Sequence, residues 1–222
     1  LSIPYDGTNF ISNIGGGMYN NFSSPSISNT IFSGNEADLG GGMYNSSSSP
    51  SISNTTFSGN AANLGGGMYN TNSSSPSISN TSFSENLALD GGGMYNRSLS
   101  DPSITNTSFS GNAATRNGGG IVNEFCSPSI GNSTFSENAA NLGGGMYNNN
   151  ASPNISKSTF NINSVTYRGG GMYNINSSSP SISNSTFNRN SATNRGGGMY
   201  NNNSSSPSIS NTSFSENSAV DG

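Results

Sequence analysis

A Gly-Gly-Gly triplet recurs along the whole chain, and its spacing constrains the fold more than any other feature. The triplets end at Gly17, Gly42, Gly67, Gly93, Gly120, Gly145, Gly171 and Gly198, at intervals of 25 to 27 residues. A second block, Pro-x-Ile-x-x-x-x-Phe, begins at Pro25, Pro50, Pro76, Pro102, Pro128, Pro153, Pro180 and Pro207. The step from Ile to Phe is five residues in every copy. Length varies in two places only: the Ser/Asn run before Pro, and the segment between Phe-x-x-Asn and the glycines. Fixed blocks joined by variable loops are the signature of a solenoid, whose ladder positions must hold register from one repeat to the next.

The repeats contain no segment of ten residues with helical apolar spacing, and Gly, Pro, Asn and Ser punctuate everything between short apolar runs. This pattern predicts three short strands per coil: at Gly-Met-Tyr-Asn, around Ser-Ile-Ser, and at the residues ending in Phe. The fold expected is an all-β parallel β-helix with three faces and about 8.5 coils. It forms a single domain over residues 1–222, with 1–14 as a partial N-terminal coil and 15–222 as eight repeats, the last incomplete. Phe10 and Asn13 imitate the Phe-x-x-Asn block in that partial coil. At roughly 4.8 Å per coil, eight coils make a rod of roughly 40 Å.

Stacking places each residue on its counterpart one coil away, so the chemistry of a position becomes the chemistry of a column. Phe32, Phe57, Phe83, Phe109, Phe135, Phe160, Phe187 and Phe214 form one interior stack. Ile27, Ile52, Ile78, Ile104, Ile130, Ile155, Ile182 and Ile209 form a second. The Met18, Met43, Met68, Met94, Met146, Met172 and Met199 column, with Ile121 in the fifth coil, forms a third. Asn35, Asn60, Asn86, Asn112, Asn138, Asn163, Asn190 and Asn217 follow Phe without a break, as an asparagine ladder that pairs buried turn backbone. A second Asn column, at Asn29, Asn54, Asn80, Asn106, Asn132, Asn184 and Asn211, is broken by Lys157; Asn tolerates left-handed backbone angles. Alternation along a strand turns Tyr outward where Met turns inward. Tyr19, Tyr44, Tyr69, Tyr95, Tyr147, Tyr173 and Tyr200 therefore stripe the outer face, interrupted at Val122. The stripe reads either as ring stacking that stabilises the sheet or as a contact face.

Composition enters as a test of this reading. Ser, Asn and Gly supply 118 of 222 residues, with 29% hydrophobic and 7% charged. Such a chain would be disordered without its periodicity. With 6 Lys and Arg and a net charge of −4, it is no nucleic-acid binder. No apolar stretch approaches the roughly 20 residues of a membrane helix, so no membrane insertion is expected within the chain. There is no His, which removes the commonest general base and zinc ligand.

The Gly-Gly-Gly-Met-Tyr-Asn and Phe-Ser-x-Asn blocks, over residues 10–222, resemble right-handed parallel β-helix repeat proteins of the pectin-lyase-like superfold. They are most similar to the repeats of polymorphic outer-membrane proteins and other cell-surface proteins, with Gly-Met where that family has Ala-Ile. The resemblance implies right-handed coiling and an extracellular or surface-displayed rod.

The superfold also includes polysaccharide lyases and hydrolases, which use clustered acids. Here Glu85, Glu137 and Glu216 share one column but stand two and three coils apart, roughly 10 and 14 Å, too wide for a retaining carboxylate pair. Glu36 and Asp38 read as a solvated turn, and Arg168 and Arg195 as equivalent solvated positions one coil apart. No catalytic residue, cofactor motif or metal constellation is assigned. Cys126 is the single cysteine, with a packing role or an intermolecular bond as its two readings. Asn-x-Ser/Thr sequons recur, at Asn54, Asn80, Asn106, Asn132, Asn184 and Asn211 among others, with Asn45 and Asn96 expected as exposed acceptors.

The chain begins at Leu1 without a signal peptide and stops at Asp221-Gly222, where the next Gly-Gly-Met-Tyr would start. It reads as a processed or partial chain, or as a subunit that stacks end to end on copies of itself. The function expected is a non-enzymatic extracellular structural or adhesive solenoid, self-associating head to tail into a surface filament. The alternative is a module binding glycan or a host surface through the Tyr ladder; a third reading is a polysaccharide-active enzyme.

Overall fold

A computed structural model gives the structure of the protein and describes residues 13–220. Over these residues the chain winds through about eight coils without a helix, and every strand pairs in parallel with its counterpart one coil away. Three eight-stranded sheets fall where the repeat places them. The tyrosine sheet runs from Met18–Asn21 to Met199–Asn201, the isoleucine sheet from Ser26–Ser28 to Ser208–Ser210, and the phenylalanine sheet from Ile31–Ser33 to Ser213–Ser215. Like residues pair throughout: Met18 with Met43, Ile27 with Ile52, Phe32 with Phe57.

A fourth, six-stranded sheet was not expected. It occupies the variable segment after Phe-x-x-Asn, from Leu87–Asp90 to Ser218–Ala219. Its inward side chains are small: Ala88, Ala114, Ala140, Val165 and Ala192 are all buried. The length differences that mark a loop in the sequence are absorbed by register shifts, for example between Ala88 and Asp90 and between Ala140 and Leu142. A bulge accommodates an extra residue without ending a strand.

The main core is one continuous cluster of Met, Ile and Phe columns. Phe rings stack at 4.6–4.9 Å between centroids, with neighbouring planes within 7°. The coil repeat imposes that separation, and Gly makes room for the ring. A Cβ on Gly93 would lie 2.9 Å from Cδ1 of Phe109 and 2.6 Å from the Gly120 carbonyl oxygen. The first glycine of each triplet has φ between +62° and +72°, a conformation open to Gly at least cost. The triplet is thus a turn residue followed by two residues against which other chain segments close.

Two asparagine ladders run through the interior. In the expected one, Nδ2 of Asn112 donates to Oδ1 of Asn138 at 3.0 Å and to the Phe83 carbonyl at 2.9 Å. Its Oδ1 accepts from the backbone N–H and Nδ2 of Asn86 at 3.1 and 2.9 Å. Every amide group is therefore paired; leaving one such buried group unpaired costs about 1–3 kcal/mol. The second ladder comprises Asn20, Asn45, Asn70, Asn96, Asn123, Asn148, Asn174 and Asn201, with Nδ2 to Oδ1 distances of 2.8–3.0 Å. Asn45 and Asn96 are fully buried in it, which corrects their reading as exposed sequons. Two residues after Met, alternation returns the side chain to the interior.

The Asn29–Asn211 column serves differently. These residues and Lys157 all have φ between +46° and +52°, at the corner between the isoleucine and phenylalanine sheets. Their side chains are exposed. Asn13 also departs from expectation: its carbonyl accepts from the N–H groups of Asp38 and Leu39, and Ile14 bridges Leu39, so Asn13 lies over Asp38 rather than in the ladder of Asn35. Phe10 and most of the expected partial coil lie outside the described residues.

Candidate functional site

The Tyr column was the one expected contact face, and the structure corrects it. The rings turn away from the Met–Ile–Phe core, as alternation requires, but they do not reach solvent along most of the rod. Tyr69, Tyr95, Tyr147 and Tyr173 are buried, Tyr44 and Tyr200 partly buried, and Tyr19 exposed at the first coil. Adjacent rings from Tyr44 onward stack at 5.3–5.4 Å and cover one another, while Tyr19 is tilted 34° against Tyr44. Leu39, Leu64, Leu142 and Ile175 pack against their flanks. The result is a second, narrower core, and the stacking reading of the stripe is the one the structure carries. The signal lay in the residues preceding the glycines: Leu39, Leu64 and Leu142 share a column that runs beside the Tyr rings.

The fifth coil interrupts the Tyr column and gathers polar groups. Val122 replaces a ring between Tyr95 and Tyr147 and pairs with both. Tyr95 donates its hydroxyl proton to Glu124, and Asn149 Nδ2 approaches the other oxygen of that carboxylate at 3.4 Å. Burial, reinforced by Glu124, raises the Tyr95 phenol well above its usual range. Burial pushes Tyr147 up to about 12. Asp90 forms an ion pair with Arg116 and accepts from the Asn117 backbone and side chain at 3.1 and 2.8 Å. Asp90 is thus held in an ion pair from the next coil, and Glu124 by a phenol and an amide of its neighbouring coils.

Cys126 occupies the buried column of Ser48, Ser74, Ser100, Ala151 and Ser178. Its Sγ lies 3.5 Å from the Asn96 carbonyl oxygen, and burial raises the thiol pKa. This is the packing role; a buried, protonated thiol is a poor nucleophile. Glu85, Glu137 and Glu216 do share a column, all at left-handed turn positions, where other coils use Gly34, Gly59 and Gly111. Glu216 pairs with Arg189. Arg168 and Arg195 are bridged partners in adjacent coils. The Arg168 guanidinium lies over the rings of Tyr167 and Tyr200, 4.3 and 5.3 Å from their centroids, as cation–π contacts. No group of three or more His, Cys, Asp and Glu among the described residues is placed to hold a metal ion. No helix there is long and apolar enough to cross a membrane.

The C-terminal coil is where the regular core meets solvent. Ile209 and Phe214 are 43% and 45% exposed, whereas Ile182 and Phe187 one coil earlier are 1% and 0%. At the opposite end Ile27 and Phe32 are 7% and 6% exposed and Tyr19 is 48% exposed.

Fold and ladders together define the class: an all-β parallel solenoid repeat protein with buried asparagine ladders. No family model, no curated protein and no solved structure matches the chain.

Proposed function

We propose that the protein is a non-enzymatic, extracellular structural rod of the right-handed β-helix repeat kind, joined head to tail into a surface filament. The observation that carries this reading is the pair of asparagine ladders: the interior polar side chains are consumed in coil-to-coil bonds along the rod, which serve rigidity. A contact between unlike ends does not close on itself and builds a fibre.

The test is electron microscopy with light scattering across a concentration series. Fibres with an axial period of roughly 40 Å are the expected result. A monodisperse monomer at all concentrations overturns head-to-tail assembly.

A further inference from the structure

One residue of every coil stands in the left-handed conformation at the corner between the tyrosine and isoleucine sheets. In five coils it is small or polar: Ser47, Ser73, Asn150, Ser177 and Ser204. In the other three it is Phe22, Leu99 or Phe125, with φ of 50°, 61° and 52°. These three side chains are 81%, 68% and 58% exposed. A bulky apolar residue is out of place there twice over, because the left-handed backbone disfavours it and water surrounds it. The fold does not call for it. Ser73 donates its N–H to the Ser98 carbonyl at 3.0 Å, and Leu99 does the same to Phe125 at the same distance, so Ser turns this corner as well as Leu.

The departures from the repeat gather in the fourth and fifth coils. Arg97 and Asp101 flank Leu99, where the third coil has Thr71 and Ser75 around Ser73. Both charged residues are exposed. The Arg97 guanidinium donates to the Tyr69 hydroxyl, and Asp101 accepts from the Ser127 N–H, so each is held in place on its own rod. The row therefore reads base, apolar, acid across the corner. Phe125 adds a second apolar side chain one coil on. Phe22 stands three coils back on the same line, roughly 14 Å away at the coil repeat.

We infer that two copies of the rod pair side by side and parallel along this corner, about a two-fold axis that runs along the rod. Such an axis keeps each coil at its own height and reverses direction across the corner. Phe22, Leu99 and Phe125 then each meet the same residue of the second copy. Arg97 of one rod faces Asp101 of the other on both sides of the Leu99 pair. The row is complementary to itself, which an isologous contact requires, and the opposite charges around the apolar pair fix its register. Another occupant would need apolar groups at the same three heights and the reverse order of charge; a second copy has both. An antiparallel pair centred between the fourth and fifth coils sets Leu99 on Phe125 but leaves Phe22 against Ser204. The contact lies on the flank of the rod, so it goes beyond end-to-end joining and does not depend on it.

The experiment is thiol cross-linking with a short bismaleimide in a Cys126→Ser background, Ser being what Ser74 and Ser100 place in that column. Ser73→Cys and Asn150→Cys each put one thiol on the corner, one coil before Leu99 and one coil after Phe125. In the parallel pair each variant is expected to give a covalent dimer by itself. In an antiparallel pair only a mixture of the two variants does. A denaturing gel reads the dimer whether or not rods also join end to end. Leu99→Ser/Phe125→Asn gives both coils the residues that other coils carry, so the fold is retained. It is expected to lower the dimer yield roughly tenfold at unchanged melting temperature. Asp101→Arg, which sets like charges against each other across the axis, is expected to lower it as well. Dimer from the mixture alone, no dimer from either variant, or a yield indifferent to Leu99→Ser/Phe125→Asn overturns the proposal.

Discussion

At the scale of single residues, identity is set by what stands one coil above and below. Tyr147 shows the consequence for acid–base behaviour. Its phenol ordinarily titrates near 10.0 and is pushed up to about 12 by burial in the ring stack, with Tyr173, Glu124 and Asp90 adding to the effect. The folded state therefore holds its proton where the unfolded chain releases it. The stabilisation is complete below pH 10 and is lost as pH climbs toward 12. A melting-temperature series from pH 9 to 12 is expected to fall across that window, and Tyr147→Phe, which cannot ionise, to fall less steeply; equal slopes would remove Tyr147 from the cause. Much of this scale was legible in the sequence. The Phe, Ile and Met columns and the Asn35–Asn217 ladder follow from spacing alone. The Asn20–Asn201 ladder was equally available, because Met-Tyr-Asn alternates in, out, in, but its Asn residues stand beside variable loops, and two of them, Asn45 and Asn96, begin sequons. The burial of the Tyr rings was harder to see, since alternation gives the side a residue faces and not what folds over that side.

At the scale of elements, the glycine triplet joins two sheets. The second glycine sits where the alanine sheet and the next coil's triplet converge: a Cβ on Gly92 would lie 2.6 Å from the Gly119 carbonyl oxygen and 2.7 Å from that of Ala113. Backbone on both sides leaves nothing flexible to yield. Gly111 is the contrast, with φ of +62° but only the Glu85 Cγ within reach, at 3.7 Å. Gly111→Ala is expected to cost about 1–2 kcal/mol, the penalty of a left-handed non-glycine residue. Gly92→Ala is expected to cost more than that and to separate the sheets locally, which denaturant melts of the two variants would compare. A smaller loss at Gly92 would show that the sheets slide apart at little cost. The alanine sheet that ends at these glycines escaped the sequence reading for a physical reason. Its inward residues are too small to signal a strand, and its bulges vary the length that a strict ladder would keep constant.

At the scale of the whole molecule, the rod behaves as a one-dimensional array in which each coil touches only its neighbours. Removing residues 43–67 joins Gly42 to Met68 and preserves every column, because the excised piece is one full period. That deletion is expected to fold with parallel-sheet circular dichroism and a modestly lower melting temperature, whereas removing 43–60 breaks register and is expected to unfold the adjoining coils. Equal behaviour of the two would contradict the coil as the unit of stability. The amide ladders add something that the sheets do not. In both, each Asn–Asn bond runs from Nδ2 of one coil to Oδ1 of the next toward the C-terminal coil, and in the Asn35–Asn217 ladder the second Nδ2 proton goes back to a Phe carbonyl of the preceding coil. Aligned amides polarise one another along such a chain. The rod consequently carries an arrow in its interior, donors leading and acceptors trailing. Two rods meeting donor end to donor end have nothing to exchange, so any lengthening that continues these ladders runs in one direction only.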